Sequence, residues 1–273
     1  CGNHPYFPEC TEDKDIPEIL EAFIMQLYQD KLPPKHIILS HPISDDKIFS
    51  RALKELHDVN VKIMISKKSG TVAGLVQIAL ENAKIALEQH IKNSAKNIEA
   101  LEAVQKIFNL PSLPNRIEVY DNSHIQGSFA IGAMIVAGRD GFQKKEYRLF
   151  TIKEQPENAL GGDDYSMLME VLTRKLTKLE TEPHRMPDLM IIDGGKGHMK
   201  IVEQVLRQFD LNIPFVCMSK GIDRNSGREQ FHRPDYEVFT LDKNLPAMKY
   251  LQILRDEAHN FSIKNHRKKR STA

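Results

Sequence analysis

The sequence is short of cysteine, lacks any long apolar run and carries almost no net charge, and each shortage removes a class of protein. Three cysteines, Cys1, Cys10 and Cys217, are too few and too scattered for a disulfide framework or a zinc cage, which fits a reducing cytoplasm. No apolar run reaches the ~18 residues that a membrane span needs, so no membrane contact is expected. A basic-then-apolar leader is missing too. The first residues, Cys1-Gly2-Asn3-His4-Pro5, lack an initiator Met, and both ends read as cuts in something longer. A net charge of +1 argues neither for nor against nucleic acid, but its distribution is uneven. Residues 1–110 hold 13 Lys and Arg against 15 Asp and Glu, leaving 25 against 22 for residues 111–273. The basic excess sits in the second half, much of it in one tail.

What is present describes a soluble globular α/β chain. With 273 residues, 41% of them hydrophobic and 27% charged, two domains are the better expectation than one. Residues Ile19, Leu20, Phe23, Ile24, Leu27 and Tyr28 recur at helical spacing up to Pro33-Pro34. Ile37-Ile38-Leu39 reads as a buried strand, Ser44 can cap a helix through Phe49, Leu53 and Leu56, and Val61 to Ile65 is a second strand. Gly70 leads into a long helix to about His90, and Asn93 to Asn109 continues as a polar helix. This order implies parallel strands. No convergent acids stand at these strand ends, and Asp45-Asp46 read as first-turn residues that favour the helix dipole. The region 1–110 is therefore expected to be structural or binding, and Pro111 to Asn115 is the expected linker.

The second region, 111–273, is organised around Arg116 to Gly127. Ile117 and Val119 alternate with Glu118 and Tyr120 as in a strand, which stops on Asp121 before a turn, Asn122-Ser123-His124. Gly132 to Gly138 and Glu146 to Ile152 follow as strands joined through Arg139-Asp140-Gly141 in an antiparallel hairpin. Gly161-Gly162-Asp163-Asp164 opens a helix through Leu176. Leu189-Met190-Ile191-Ile192, apolar on both faces, is a central parallel strand that also stops on an acid, Asp193. A helix over Ile201 to Leu206, a strand Phe215 to Met218, a loop read as mobile from Gly221 to Tyr236, and a final helix from about Ala247 complete the chain.

This is the element order of the ribonuclease H-like fold, a mixed five-stranded sheet with flanking helices. In that order the strands ending at Asp121 and Asp193 lie side by side, so the two carboxylates emerge together. Such a pair is stable mainly around a cation, and hard oxygen ligands suit Mg²⁺ or Mn²⁺. Asp163 is a natural N-cap. Position leaves Asp164 either a ligand or a residue that serves the helix dipole, and leaves His259 either a solvated side chain or a base or metal ligand near the strand ends. Lys196, in Gly-Gly-Lys-Gly, lacks the spacing of a nucleotide-phosphate loop, though its glycines let a phosphate approach. Arg224 and Arg228 in the loop, and Arg267, Lys268, Lys269 and Arg270 in the tail, are either solvated or in contact with DNA phosphates.

The motifs Ile-Glu-Val-Tyr-Asp-Asn-Ser-His (117–124), Gly-Asp-Asp-Tyr (162–165), Ile-Ile-Asp-Gly-Gly-Lys-Gly (191–197), Ser-Lys-Gly-Ile-Asp-Arg (219–224), Arg-Asp-Glu-Ala-His (255–259) and His-Arg-Lys-Lys-Arg (266–270) closely resemble the UvrC family, a component of the bacterial UvrABC excinuclease. Gly2 to Pro8 resembles a segment of the family's central region. The resemblance implies nucleotide excision repair, with damaged double-stranded DNA and UvrB as partners after UvrA has acted upstream. It implies a ribonuclease H-like domain that makes the 5′ incision, preceded by a partial, degenerate one. The family's catalytic residues fall on Asp121, Asp193 and His259, with Asp164 matching a further essential acid. The family's GIY-YIG nuclease, cysteine cluster, UvrB-binding hairpin and helix-hairpin-helix module have no counterpart in these residues. A metal-dependent endonuclease, with Asp121, Asp193 and His259 at the metal, is the leading expectation. An Asp-nucleophile phosphatase would want an acid where Ser123 stands, and a DNA- or UvrB-binding scaffold without activity would not need the four residues to converge.

Overall fold

The computed structural model describes residues 3–8, 15–66, 70–123, 131–152, 163–221, 229–234 and 236–270. The chain separates into two compact units, Cys1–Lys92 and Asn93–Ala273. Among the described residues no helix is long and apolar enough to cross a membrane.

The first unit runs α1 (Ile16–Leu27), β1 (His36–Leu39), α2 (Asp46–His57), β2 (Lys62–Ile65) and the start of α3 (Thr71–Phe108). β1 and β2 pair in parallel, Ile37 opposite Ile63 and Leu39 opposite Ile65. Their inward residues join Ile24, Leu53 and Val61 in a small core. The cap of α2 is Asp45, one residue after the expected Ser44. Its carboxylate accepts from the Lys47 and Ile48 amides at 2.9 and 3.0 Å, satisfying donors that the first turn leaves open.

The second unit carries β3 (Ile117–Ser123), β4 (Ile131–Gly138), β5 (Gly141–Phe142), β6 (Arg148–Thr151), α4 (Asp163–Leu179), β7 (Leu189–Asp193), α5 (Lys196–Gln208), β8 (Phe215–Ser219), β9 (Gln230–His232), β10 (Phe239–Thr240) and α6 (Pro246–Arg270). The sheet order is β10-β9-β8-β7-β3-β4-β5, with β6 also on β4. β7 lies parallel to both β3 and β8, while β3–β4 and β4–β6 are antiparallel. The expected five-stranded mixed sheet is thus present as β8-β7-β3-β4-β6, widened by three short strands.

Because strand side chains alternate between faces, this sheet has two cores. Ile117, Val119, Leu189, Ile191, Val216 and Met218 face the layer of α6 and the end of α3. Tyr120, Met190, Ile192 and Cys217 face the layer of α4 and α5. α6 buries Met248, Leu251, Leu254 and Ala258, a stripe at three- and four-residue spacing. The last turns of α3 bury Leu101, Val104 and Phe108 in the same core, so this stretch belongs with the second unit.

Two expectations change. The stretch 221–236 contains β9, whose Phe231 is fully buried between the rings of Phe108 and Phe239. One apolar residue among polar neighbours carries no period, so only the stacking reveals the strand. Asp121 also does not end its strand. β3 continues to Ser123 against β4, where Asn122 pairs with Gly132 and Ser123 with Ile131, so these two residues are strand and not turn. His124 lies outside the described residues.

Candidate functional site

The parallel ladder between β3 and β7 sets Ile117 opposite Leu189, Val119 opposite Ile191, and ends at Tyr120 opposite Ile192. Asp121 and Asp193 are the next positions on the two strands. They continue the Ile117–Val119 and Leu189–Ile191 series, so both carboxylates fall on the face that α6 covers. β3 stays paired to β4 on its other edge, while its β7 edge opens at this point. The sheet forks where the two acids stand.

Asp121 is 4% exposed. Asp193 is partly buried, and its carboxyl is pushed up to about 6, first by burial and then by the Asp121 charge, against the opposing pull of Arg255, Lys220 and His259. A carboxyl whose ionisation is opposed by a neighbouring carboxylate forms a site that a cation relieves. Across the fork, on α6, His259 places Nδ1 3.6 Å from Asp121 Oδ2 with a half-exposed ring. That distance is too long for a hydrogen bond. The imidazole lies beside the acid and keeps a path to solvent. Tyr147 holds α6 on both sides of His259: its hydroxyl donates to Glu257 Oε1 at 3.2 Å and its ring meets Phe261 edge-on at 5.0 Å.

Asp164 stands in the first turn of α4 and acts on His198 of α5, whose imidazole burial pushes down and the Asp164 charge pulls back up. The ring of Tyr165 meets that of His198 at 4.9 Å. Glycines allow this approach, since a Cβ at Gly194 would lie 2.4 Å from the His198 ring and one at Gly197 2.3 Å from the Tyr165 hydroxyl. The structure brings Asp121, Asp193 and His259 together. Asp164 is carried on α4 beside His198, whose ring packs against Gly194, the residue after Asp193.

Lys196 is the first residue of α5, and its charge, after burial, helps to lower the pKa of His232. Arg224 and Arg228 lie outside the described residues, and Arg267 to Arg270 are in the last turns of α6. Two cations to which spacing along the chain assigns no role also reach the site. Lys220 follows the last residue of β8 as a charge at a strand end, the same signal that marks the two acids. Arg255 lies one helical turn before His259 and donates from Nη1 to the buried Glu229 at 2.9 Å. Gln252 donates to the same carboxylate. Burial pushes Glu229 up, but these bonds, its own backbone and the Arg255 charge hold it below the usual carboxylate range.

Among the described residues no group of three or more His, Cys, Asp and Glu converges as a ready metal cage. The donor set still fits a hard cation. Mg²⁺ is commonly held by one or two carboxylates and keeps several of its waters, and a pair of in-register aspartates supplies that kind of site.

The chain matches known proteins along its whole length. The family described as UvrC RNAse H endonuclease domain matches residues 105–263, and the UvrC Ribonuclease H-like domain matches residues 1–90. It is 52% identical to UvrABC system protein C of Rickettsia bellii (strain RML369-C), with 100% of this chain and 47% of that protein covered. Against the protein of the same name from Rickettsia prowazekii (strain Madrid E) it is 52% identical, with 100% and 45% covered. The chain thus spans about half the length of the curated relatives it matches. Among solved structures, it is similar to Ciona intestinalis endonuclease V in complex with a 24mer DNA containing an inosine (TM-score 0.38, 12% identity, 66% of this chain and 98% of that one). It is also similar to human ENDOV (TM-score 0.32, 19% identity, 42% and 50%). With more than half of its residues matched by the endonuclease-domain family, the second unit is a ribonuclease H-like endonuclease domain and the chain belongs to the UvrC family.

Proposed function

We propose that this chain is the metal-dependent DNA-cutting part of a nucleotide excision repair nuclease, which makes the incision on the 5′ side of a lesion in damaged double-stranded DNA. UvrB is its partner, with UvrA upstream. Residues 93–273, with the end of α3 in their core, form the endonuclease domain, and residues 1–92 a central, inactive ribonuclease H-like region. The observation that carries this reading is the in-register placement of Asp121 and Asp193 on the face beneath His259.

A bound Mg²⁺ or Mn²⁺ supplies an activated water and neutralises charge on the phosphoryl oxygen. Asp121 and Asp193 would hold it, with His259 beside them as a further ligand or as the base. As the base, His259 keeps Nδ1 toward Asp121 and takes the water's proton on Nε2, the nitrogen left to face the opening. Lys220 and Arg255 place positive charge beside Asp193 and favour the approach of an anionic phosphate. Asp164 orients the site from α4 through His198. Lys196, Arg224, Arg228 and the tail from Arg267 to Arg270 track the DNA backbone.

The test is a nicking assay on lesion-containing duplex with UvrB supplied, comparing Mg²⁺, Mn²⁺ and chelator. Cleavage is expected with either metal and not with chelator. Asp193→Asn is expected to lower it by a factor on the order of a thousand. Metal-independent cleavage, or full activity in that variant, would sink the mechanism.

A further inference from the structure

At the start of β3, on the sheet face away from His259, the structure holds a second charged site. A cleft of about 110 Å³ opens between β6, the last turns of α4 and the turn at Pro183–Arg185. That is room for several waters, or for one phosphate group in their place. Six cations line it: Arg116, Arg148, Arg174, Lys175, Lys178 and Arg185, against the carboxylates of Glu146 and Glu182.

Part of this charge is internal structure. Glu118, fully buried beneath the cleft, takes Arg116 at 2.8 Å, Lys175 at 3.0 Å and the Tyr120 hydroxyl at 2.6 Å. Arg185 reaches Glu182 and Glu146 at 2.9 and 3.6 Å. Arg174 reaches Glu170 and lies 5.6 Å from the centroid of the Phe150 ring. Two cations have no such account. Among the described residues Arg148 donates to the carbonyls of Lys145 and Tyr147 and makes no ion pair, and Lys178 makes no ion pair among them either. The negative end of the α4 dipole explains a lysine in its last turn. It does not explain a guanidinium on β6 that has no ion-pair partner among the described residues and lines the same cleft, already rich in positive charge.

Like charges gathered in a cleft raise the free energy of the empty site and focus the field on an incoming anion. Four of the six are arginines, whose planar forks match tetrahedral oxyanions. We propose that this cleft binds phosphate groups, and that Arg148 and Lys178 are the residues that take them. The phosphate comes from the DNA backbone or from a free phosphate compound. The DNA source rests on the nuclease reading above, and the cut lies elsewhere. Arg116, just before β3, and Asp121 are five residues apart, about 17 Å at ~3.3 Å per residue, and on opposite faces of the sheet.

The test is equilibrium binding without divalent metal, using pyrophosphate by calorimetry and undamaged duplex by anisotropy over a range of salt. The variants are the double substitution Arg148→Gln with Lys178→Gln, and Lys178→Arg as the charge-conserving control, each checked for folding by circular dichroism. The double variant is expected to bind both probes at least fivefold more weakly. Its slope of log affinity against log salt for DNA should fall by about 2, close to one unit per lost phosphate contact, while Lys178→Arg retains most of the binding. Loss for pyrophosphate alone assigns the cleft to a free phosphate compound. Unchanged binding of both overturns the proposal. Because no cleavage is measured, failure of the nicking assay leaves this result standing, and the reverse holds as well.

Discussion

At Asp193, function and stability pull in opposite directions. Its carboxyl titrates near 6 in the fold, against 3.8 as its ordinary value, because burial and Asp121 disfavour the charge. Below the unfolded value both states hold the proton, and the residue contributes its full stability. As pH rises through 6 that stability is lost, a difference on the order of 3 kcal/mol. Asp193→Asn is therefore expected to raise the melting temperature of metal-free protein at pH 8 and to leave it unchanged at pH 3.5. Added Mg²⁺ at pH 8 should then stabilise the wild type more than the variant. Thermal unfolding at the two pH values checks this, and coincident melting at pH 8 would refute it. Glu118 makes the opposite case. It is fully buried beneath two cations, so Glu118→Ala leaves Lys175 without this counter-charge and Arg116 with only Glu146 at 3.5 Å among the described residues, and should cost about 3–5 kcal/mol in urea unfolding.

At the scale of elements, what aligns the site is the β3–β7 ladder, and what orients it is the β3–β4 ladder. One position tests the latter. A Cβ at Gly138, the last residue of β4, would lie 2.0 Å from the backbone oxygen of Asn115, just before β3. A carbonyl of the main chain cannot swing away as a side chain can. Asn97 of α3 also donates to the Gly138 and Arg139 carbonyls at 2.7 and 2.6 Å. Gly138→Ala is expected to destabilise the second unit by about 1–3 kcal/mol, the range for overpacking a tight contact, read from the denaturant midpoint at unchanged slope. The long elements were legible in the sequence because each carries a period: β3, β4, β7, β8, α4, α5 and the stripe of α6. β9 and β10 carry none, since they are three and two residues long and are held by pairing and by the stacked rings of Phe231 and Phe239. The extension of β3 past Asp121 was hidden for a related reason. Asn122 and Ser123 have turn chemistry, and the partner strand β4 overrides it.

For the molecule as a whole, composition and order of elements identified the α/β class and two bodies, and the motifs pointed to the family. The helix Asn93 to Asn109 reads as a connection because it leads into the Pro111 to Asn115 linker and its charged residues are spread along it. Three of its apolar side chains, Leu101, Val104 and Phe108, are at most 1% exposed in the core of the second unit. Removing residues 1–92 is therefore expected to leave a folded second unit, whereas removing residues 1–110 strips that core of three large side chains worth about 1.5–3 kcal/mol each. The second truncation should lose its cooperative thermal transition. A sharp transition at the same temperature in both would contradict the assignment of α3.

The sequence by itself determined the elements, the alternation that sorts their side chains between two faces, and the two acids at a strand position, since these are local properties of spacing and residue type. Only the tertiary structure decided which residues meet. The parallel register puts Asp121 and Asp193 side by side, the pitch of α6 over the sheet brings His259 to Asp121, and strand pairing takes β3 beyond its acid. The cleft at the far end of β3 is decided in the same way, because its six cations come from segments with no common motif. Field strength, burial and mutual repulsion depend on distance in space, and spacing along the chain does not carry it.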